Sequence, residues 1–148
     1  MTQNNDAKEE VQLVIFRLGN EEYAFDILMV QEIKRMTDIT RVPHTPDYIK
    51  GVINLRGSVL PVLDLKIRMN LPETPITEDT RIIIIKMEKV LVGMLVDSVS
   101  EVVTLNFSNI ELPQGNSGIV AENYVSGIGK IDQRLLIILD PRFIVDLV

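Results

Sequence analysis

The sequence predicts a nearly all-β fold built from two copies of one small unit. Two observations carry this. Short apolar or alternating segments are separated by tight turns rich in Gly, Asn and Pro along most of the chain. The chain also matches itself at an offset of 76 residues: Tyr48, Gly51, Leu60, Leu63 and Asp64 fall on Tyr124, Gly127, Leu136, Leu139 and Asp140, while Val52, Leu55, Val59 and Val62 fall on Ile128, Ile131, Leu135 and Ile138. Such self-similarity is the mark of a repeated unit. A fainter match at an offset of 69 places Val30, Glu32 and Ile33 on Val99, Glu101 and Val102. In a chain of 148 residues each half would bury too little surface to stand alone, so the halves are expected to be fused.

Taken in order, Met1–Glu10 is polar and acidic and reads as a flexible tail. Val11–Leu18 and Glu22–Ile27 form a hairpin turning at Gly19-Asn20-Glu21. Ile27–Lys34 loses the two-residue period and reads as a short helix, with Asp26 placed to cap it. Pro43 and Pro46 lock the Arg41–Pro46 segment into extended or turn geometry. A second hairpin, Gly51–Leu55 and Val59–Leu63, turns at Arg56-Gly57, and Pro61 inside it predicts an edge or bulge position. Asn70–Asp79, with two prolines and three acids, reads as a linker between a first barrel-sized half (11–69) and a second (80–148), with the chain free to cross between them. Strands resume at Arg81–Met87, Val90–Val96, Val102–Leu105, Val125–Ile131 and Leu135–Leu139; Thr104–Asn123 is expected to be irregular. Asp64 and Asp140 each stand before a short segment and read as helix caps, the second followed by Pro141. Gly51, Gly93 and Gly127, inside strands, predict bulges or close backbone approach.

Composition narrows function. A net charge of -6 repels phosphate-rich partners on average, and with no Trp, four Phe and three Tyr there is no aromatic platform for nucleic acid. Without Cys, and with His44 as the one histidine, thiolate metal sites and a Ser-His-Asp relay are not expected. Gly127-Ile128-Gly129 lacks the third glycine of a dinucleotide fingerprint, so no cofactor or metal is predicted. The longest apolar runs, Ile82–Ile85 and Leu135–Leu139, are far short of the roughly 20 residues of a spanning helix, and no secretory signal is visible; the expectation is a cytoplasmic protein not inserted in the membrane. Binding to other proteins is what remains.

The repeat also shows what the fold does not require. Asn54-Leu55-Arg56-Gly57 in one copy corresponds to Lys130-Ile131-Asp132-Gln133 in the other, and only the apolar position is kept. Asn54 and Arg56 are then available for contact with a partner, Arg being frequent at interface hot spots. The competing reading is an ordinary solvated turn, with Gly57 supplying a positive φ and Asn54 tying down the backbone.

The ordered set of Phe16–Ile27, Val30-Gln31-Glu32-Ile33, Arg41-Val42-Pro43, Gly51-Val52, Asn54-Leu55-Arg56-Gly57, Pro61–Leu65, Val92-Gly93, Val96-Asp97 and Tyr124–Gly129 resembles the CheW family of chemotaxis coupling proteins, over about Val11–Val148. The resemblance implies two intertwined SH3-like five-stranded β-barrels sharing a hydrophobic core, with a few short helices. It implies a non-enzymatic adaptor joining the cytoplasmic tips of chemoreceptors to the histidine kinase CheA, in arrays at the inner face of the membrane. Carried over by position, the receptor-facing groove between the barrels would include Val30, Glu32, Asn54, Leu55, Arg56 and Gly57, although Leu55 could equally belong to the core. Docking to the regulatory domain of the kinase is expected at the hairpin around Val90–Met94, with Val92, Gly93 and Met94 as its named residues, and at the loop Ile110–Gly118 with Ile110. The rival readings are a small enzyme or ligand-binding barrel acting on a small molecule, which would show converging carboxylates in an apolar pocket, and a stand-alone copy of the kinase's regulatory module or a coupling domain detached from a receiver, which partner capture would separate.

Overall fold

The computed structural model describes residues 9–112 and 124–145. The flexible tail expected at the N-terminus up to residue 8, and most of the Ile110–Gly118 loop, lie outside these residues. Eleven strands dominate the described residues: β1 (Glu10–Leu18), β2 (Glu21–Asp26), β3 (Val30–Arg35), β4 (Ile49–Leu55), β5 (Ser58–Asp64), β6 (Arg81–Met87), β7 (Val90–Val96), β8 (Ser98–Asn106), β9 (Ile110–Glu111), β10 (Val125–Ile131) and β11 (Arg134–Leu139). Two one-turn helices follow the capping aspartates, α1 (Leu65–Arg68) and α2 (Pro141–Ile144).

The chain divides into two compact units. The first holds residues up to Ile15, Glu21–Leu28 and those from Ser100 onward; the second holds Phe16–Asn20 and Met29–Val99. This corrects the boundary read from the sequence, because the segment at 70–79 lies inside the second unit. The reason is strand pairing: β6 and β7 complete the sheet begun by β3, β4 and β5, whose order is β3-β6-β7-β5-β4. The other sheet has six strands rather than five, in the order β8-β1-β2-β11-β10-β9, since the short β9 adds to β10.

Both copies of the repeat fold alike. β4 and β5 pair antiparallel with a bulge between Ile49 and Gly51, and β10 and β11 do so with a bulge between Val125 and Gly127. Each return strand then pairs in parallel with an earlier one, Val62 with Gly93 and Ile138 with Ala24. Asp64 Oδ1 accepts from the backbone N–H of Lys66 at 2.9 Å, and Asp140 Oδ1 from that of Arg142 at 3.0 Å, so both act as the caps the sequence predicts. Each unit has its own apolar interior. Ile53, Leu55, Leu60, Val62, Ile82, Ile84 and Leu95 cluster in one, and Leu13, Ile15, Ala24, Leu105, Leu136 and Ile138 in the other.

Three local expectations are revised. The helix expected over Ile27–Lys34 is only a 3-10 turn at Ile27–Met29, held by Asp26 Oδ1 accepting from Leu28 N at 2.9 Å. The chain then enters β3, whose half-buried positions are Val30, Glu32 and Lys34 and whose exposed ones include Ile33. Polar residues stand on the inward phase, so the two-residue period is hidden in the hydropathy. Pro61 sits on an interior strand, not at an edge or bulge. The two-residue loop makes Leu55 and Ser58 a hydrogen-bonded pair, so Val52 and Pro61 form a non-hydrogen-bonded one. The missing N–H of Pro61 would point away from β4, one residue before pairing with β7 begins at Val62. Thr104–Asn106 continue β8, and Phe107–Asn109 make a 3-10 turn capped by Asn106.

Gly51 is the tightest point. Its φ is 145°, and a Cβ there would lie 2.1 Å from the Thr40 carbonyl oxygen. Thr40 and Val52 exchange backbone hydrogen bonds at 2.9 and 2.8 Å across this contact. Elsewhere in the same unit Lys66, almost fully buried, pairs with Asp97, and the Asp97 carboxylate also accepts from Thr74 Oγ1 at 2.9 Å and Gly19 N at 2.7 Å. These bonds tie the 70–79 segment and the β1–β2 turn to the end of β7. Burial pushes the Asp97 carboxyl up, but the bonds from Lys66, Gly19 and Thr74 outweigh it and hold the group below its ordinary 3.8.

Two measurements check these points. Gly51→Ala should cost at least about 2 kcal/mol in urea denaturation, because backbone must move, whereas Gly19→Ala, with open space around it and φ 64°, should lose only about 1 kcal/mol. Because the folded-state pKa of Asp97 is depressed, its contribution is present above about pH 3.8 and is lost as pH falls through the folded value. The drop in denaturation midpoint between pH 6 and pH 3 should therefore be smaller in Asp97→Asn than in the parent chain.

Candidate functional site

The site is built on the β4–β5 hairpin of the second unit. Its two-residue loop, Arg56-Gly57, has both residues at positive φ, 50° and 90°, the geometry that matches strand twist in a tight hairpin. With the register fixed by this loop, Ile53, Leu55, Leu60 and Val62 point inward, while Asn54 and Val59 face each other on the outer side. The Asn54 Oδ1 accepts from Gly57 N at 2.9 Å and braces the turn. Arg56 is carried at the apex with its side chain 67% exposed.

The guanidinium reaches β3. Arg56 NH2 pairs with Glu32 Oε2, and NH1 lies 3.5 Å from Oε1. β3 and β4 are the two ends of the five-strand order; this pair links β3 to the β4–β5 loop, and the Thr40–Val52 bridge links the segment after β3 to β4. A hydrogen bond from Arg56 holds the Glu32 carboxyl below the ordinary carboxylate range, and Glu32 in turn raises the Arg56 guanidinium. Both groups stay charged through neutral pH.

Of the residues expected to face a receptor, Glu32, Asn54, Arg56 and Gly57 are brought together on one surface. Val30 is half-buried in β3, paired with Ile85. Leu55, left open between surface and core, is core: it is 5% exposed within the second unit's apolar cluster. The sequence comparison passed over Val59, which is 66% exposed beside Asn54, and Ile33, exposed on β3. The signal was present in β5, where Val59 is out of phase with the buried Leu60 and Val62.

The kinase-facing expectation changes. Val92 and Met94 are buried, and β7 lies between β6 and β5, so no strand edge is free there. A Cβ on Gly93 would meet Ile82 Cγ2 at 2.9 Å. The exposed part of that hairpin is its end, Val90. Ile110 is half-buried in β9 opposite Gly129.

The duplicate hairpin qualifies the idea that Arg56 is wholly free of the fold. Asp132, at the position of Arg56, also has a left-handed φ, 54°. Glu101, at the position of Glu32, is again bound by an arginine, but from two residues further along: Arg134 NH2 donates to Glu101 at 2.8 Å, and its Nε and NH2 donate to Glu22 at 3.0 and 2.9 Å. Two carboxylates share that guanidinium and leave it 35% exposed. Arg56 has one carboxylate and roughly twice the exposure, so donors remain for an external acceptor.

The whole of residues 12–148 matches the family model described as CheW-like domain. The chain is 41% identical over 143 residues to the chemotaxis protein CheW of Bacillus subtilis strain 168, covering 95% of this chain and 90% of that one. Against the chemotaxis protein CheW of Klebsiella aerogenes it is 40% identical over 129 residues, 87% of this chain and 78% of the other. The crystal structure of the scaffolding protein TtCheW from Thermoanaerobacter tengcongensis superposes with a TM-score of 0.86 at 36% identity, covering 93% of each chain. On the duplicated hairpin unit, the ordered motifs and these likenesses together, the chain belongs to the CheW-like family.

Proposed function

We propose that this chain is a non-enzymatic adaptor that couples chemoreceptors to the histidine kinase CheA, working beside receptor arrays at the inner face of the membrane. Family membership supports the class of function. The observation that carries the site is Arg56: a charged residue at a left-handed apex, tethered on one side by Glu32 and open on the other, next to the exposed Val59 and Asn54. Left-handed φ disfavours a side chain, so the fold would be better served by Gly, Asn or Asp. An arginine there suits recognition, with its fork of donors reading a receptor carboxylate or carbonyls and its apolar neighbours filling the contact.

In this reading Val30, Glu32, Asn54, Arg56 and Gly57 form the receptor side, with Leu55 supporting them from the core. The kinase's regulatory domain is assigned to Ile110 and to the β6–β7 hairpin end at Val90, since the side chains of Val92 and Met94 are inside. Signal passes by differential affinity: an adaptor that binds one arrangement of receptor and kinase better than another shifts the balance between them without chemistry of its own.

Calorimetry with a purified receptor signalling tip tests the site. Arg56→Ala should weaken binding about thirtyfold or more, the loss expected of a hot-spot arginine, and leave the melting temperature nearly unchanged. Arg56→Gly should weaken binding equally while holding or raising the melting temperature. Unchanged receptor binding in both variants would remove Arg56 from the site, and a collapse in stability would make its role structural.

A further inference from the structure

The excess negative charge of the chain is not shared between its two units. The first unit holds twelve carboxylates against four cations, and the second holds nine against eleven. Three of the first unit's cations are already paired within it: Lys130 with Glu111, Arg134 with Glu22 and Glu101, and Arg142 with Asp140.

Two 3-10 turns of this unit hold large apolar side chains in solvent. Leu28, in the turn at Ile27–Met29, is 89% exposed, and Phe107, which opens the turn at Phe107–Asn109, is 49% exposed. The backbone under each is fixed: Leu28 N donates to Asp26 Oδ1 at 2.9 Å, and Phe107 N to the Glu9 carbonyl at 2.7 Å. Together with the half-buried Val11 and Ile27 they line one hollow of about 440 Å3, where the charged groups are Glu10 and Asp26. No Lys, Arg or His lines it, and neither carboxylate has an ion-pair partner among the described residues. Apolar side chains exposed side by side mark a contact with another molecule. Two carboxylates beside them, with no cation, attract positive charge to that contact and repel negative charge.

We infer that this hollow is a docking site for a partner polypeptide that presents leucine-like side chains flanked by Lys or Arg. The partner's apolar groups cover Leu28 and Phe107, and its cations pair with Glu10 and with Asp26 Oδ2, the oxygen not engaged by Leu28 N. The lining lies wholly in the first unit, so the site is separate from Arg56 and does not rest on the receptor reading.

The test is an amide NMR titration of the full chain with acetyl-Lys-Leu-Leu-Lys-amide, with acetyl-Gln-Leu-Leu-Gln-amide and with acetyl-Lys-Gly-Gly-Lys-amide. The first peptide should give saturable shifts confined to residues 10–12, 26–28 and 104–107 and their neighbours, and the other two should bind about tenfold more weakly. Leu28→Ser and Glu10→Gln should each weaken the first peptide to a similar degree, whereas Arg56→Ala should leave it unchanged. Equal binding of the lysine and glutamine peptides, or shifts spread over the first unit's other carboxylates, would overturn the proposal. So would tighter peptide binding in Lys8→Gln, which would make the start of this chain the occupant, or self-association in sedimentation that Leu28→Ser abolishes, which would seat a second copy there. The comparison of peptides on the parent chain holds even if a variant fails to fold.

Discussion

The two-residue loop between β4 and β5 is the constraint on which the candidate site depends. With only Arg56 and Gly57 to reverse the chain, both must adopt positive φ, and Leu55 must pair with Ser58. Every other assignment on the hairpin follows from that register. A slip of one residue would send Asn54 and Val59 inward and Leu55 and Leu60 into water. The core cluster holds the register from one side, and the bond from Gly57 N to Asn54 holds it from the other.

Duplication makes the chemistry of the site readable. Both units use a hairpin with a left-handed first loop residue, a bulge near the start of the leading strand, and a return strand in parallel pairing with an earlier one. Both also bring an arginine to the glutamate on the matching strand. They differ in how completely that arginine is satisfied, two carboxylates for Arg134 and one for Arg56. Arg56 is therefore a residue that the fold half uses, held by one carboxylate and otherwise open. Its ion pair with Glu32 is exposed and contributes little to stability by itself, but it aims the guanidinium.

Around this hairpin, charge is handled by enclosure where it is buried and by geometry where it is not. Lys66 is inside and has Asp97 and Thr74 as partners, so its burial is compensated. Arg41, exposed, and Lys50, half-buried, flank the Thr40–Gly51 contact and have no ion-pair partner among the described residues.

The amino-acid sequence by itself determined the β class, the repeat, both aspartate caps, and the glycines of the bulges, because each rests on chemistry within a few residues or on a pattern that recurs. It also singled out Asn54, Arg56 and Gly57. It did not reveal that β3 is a strand, since Glu32 and Lys34 occupy its inward phase and mask the alternation. Only the tertiary structure decided that β6 and β7 belong with β3, β4 and β5, that Val92 and Met94 are covered on a central strand, that Leu55 is core, and that Arg56 meets Glu32 while Arg134 meets Glu101. Those outcomes depend on which strands pair across long separations, and hydropathy along the chain says which face of a strand is apolar without saying what lies against it.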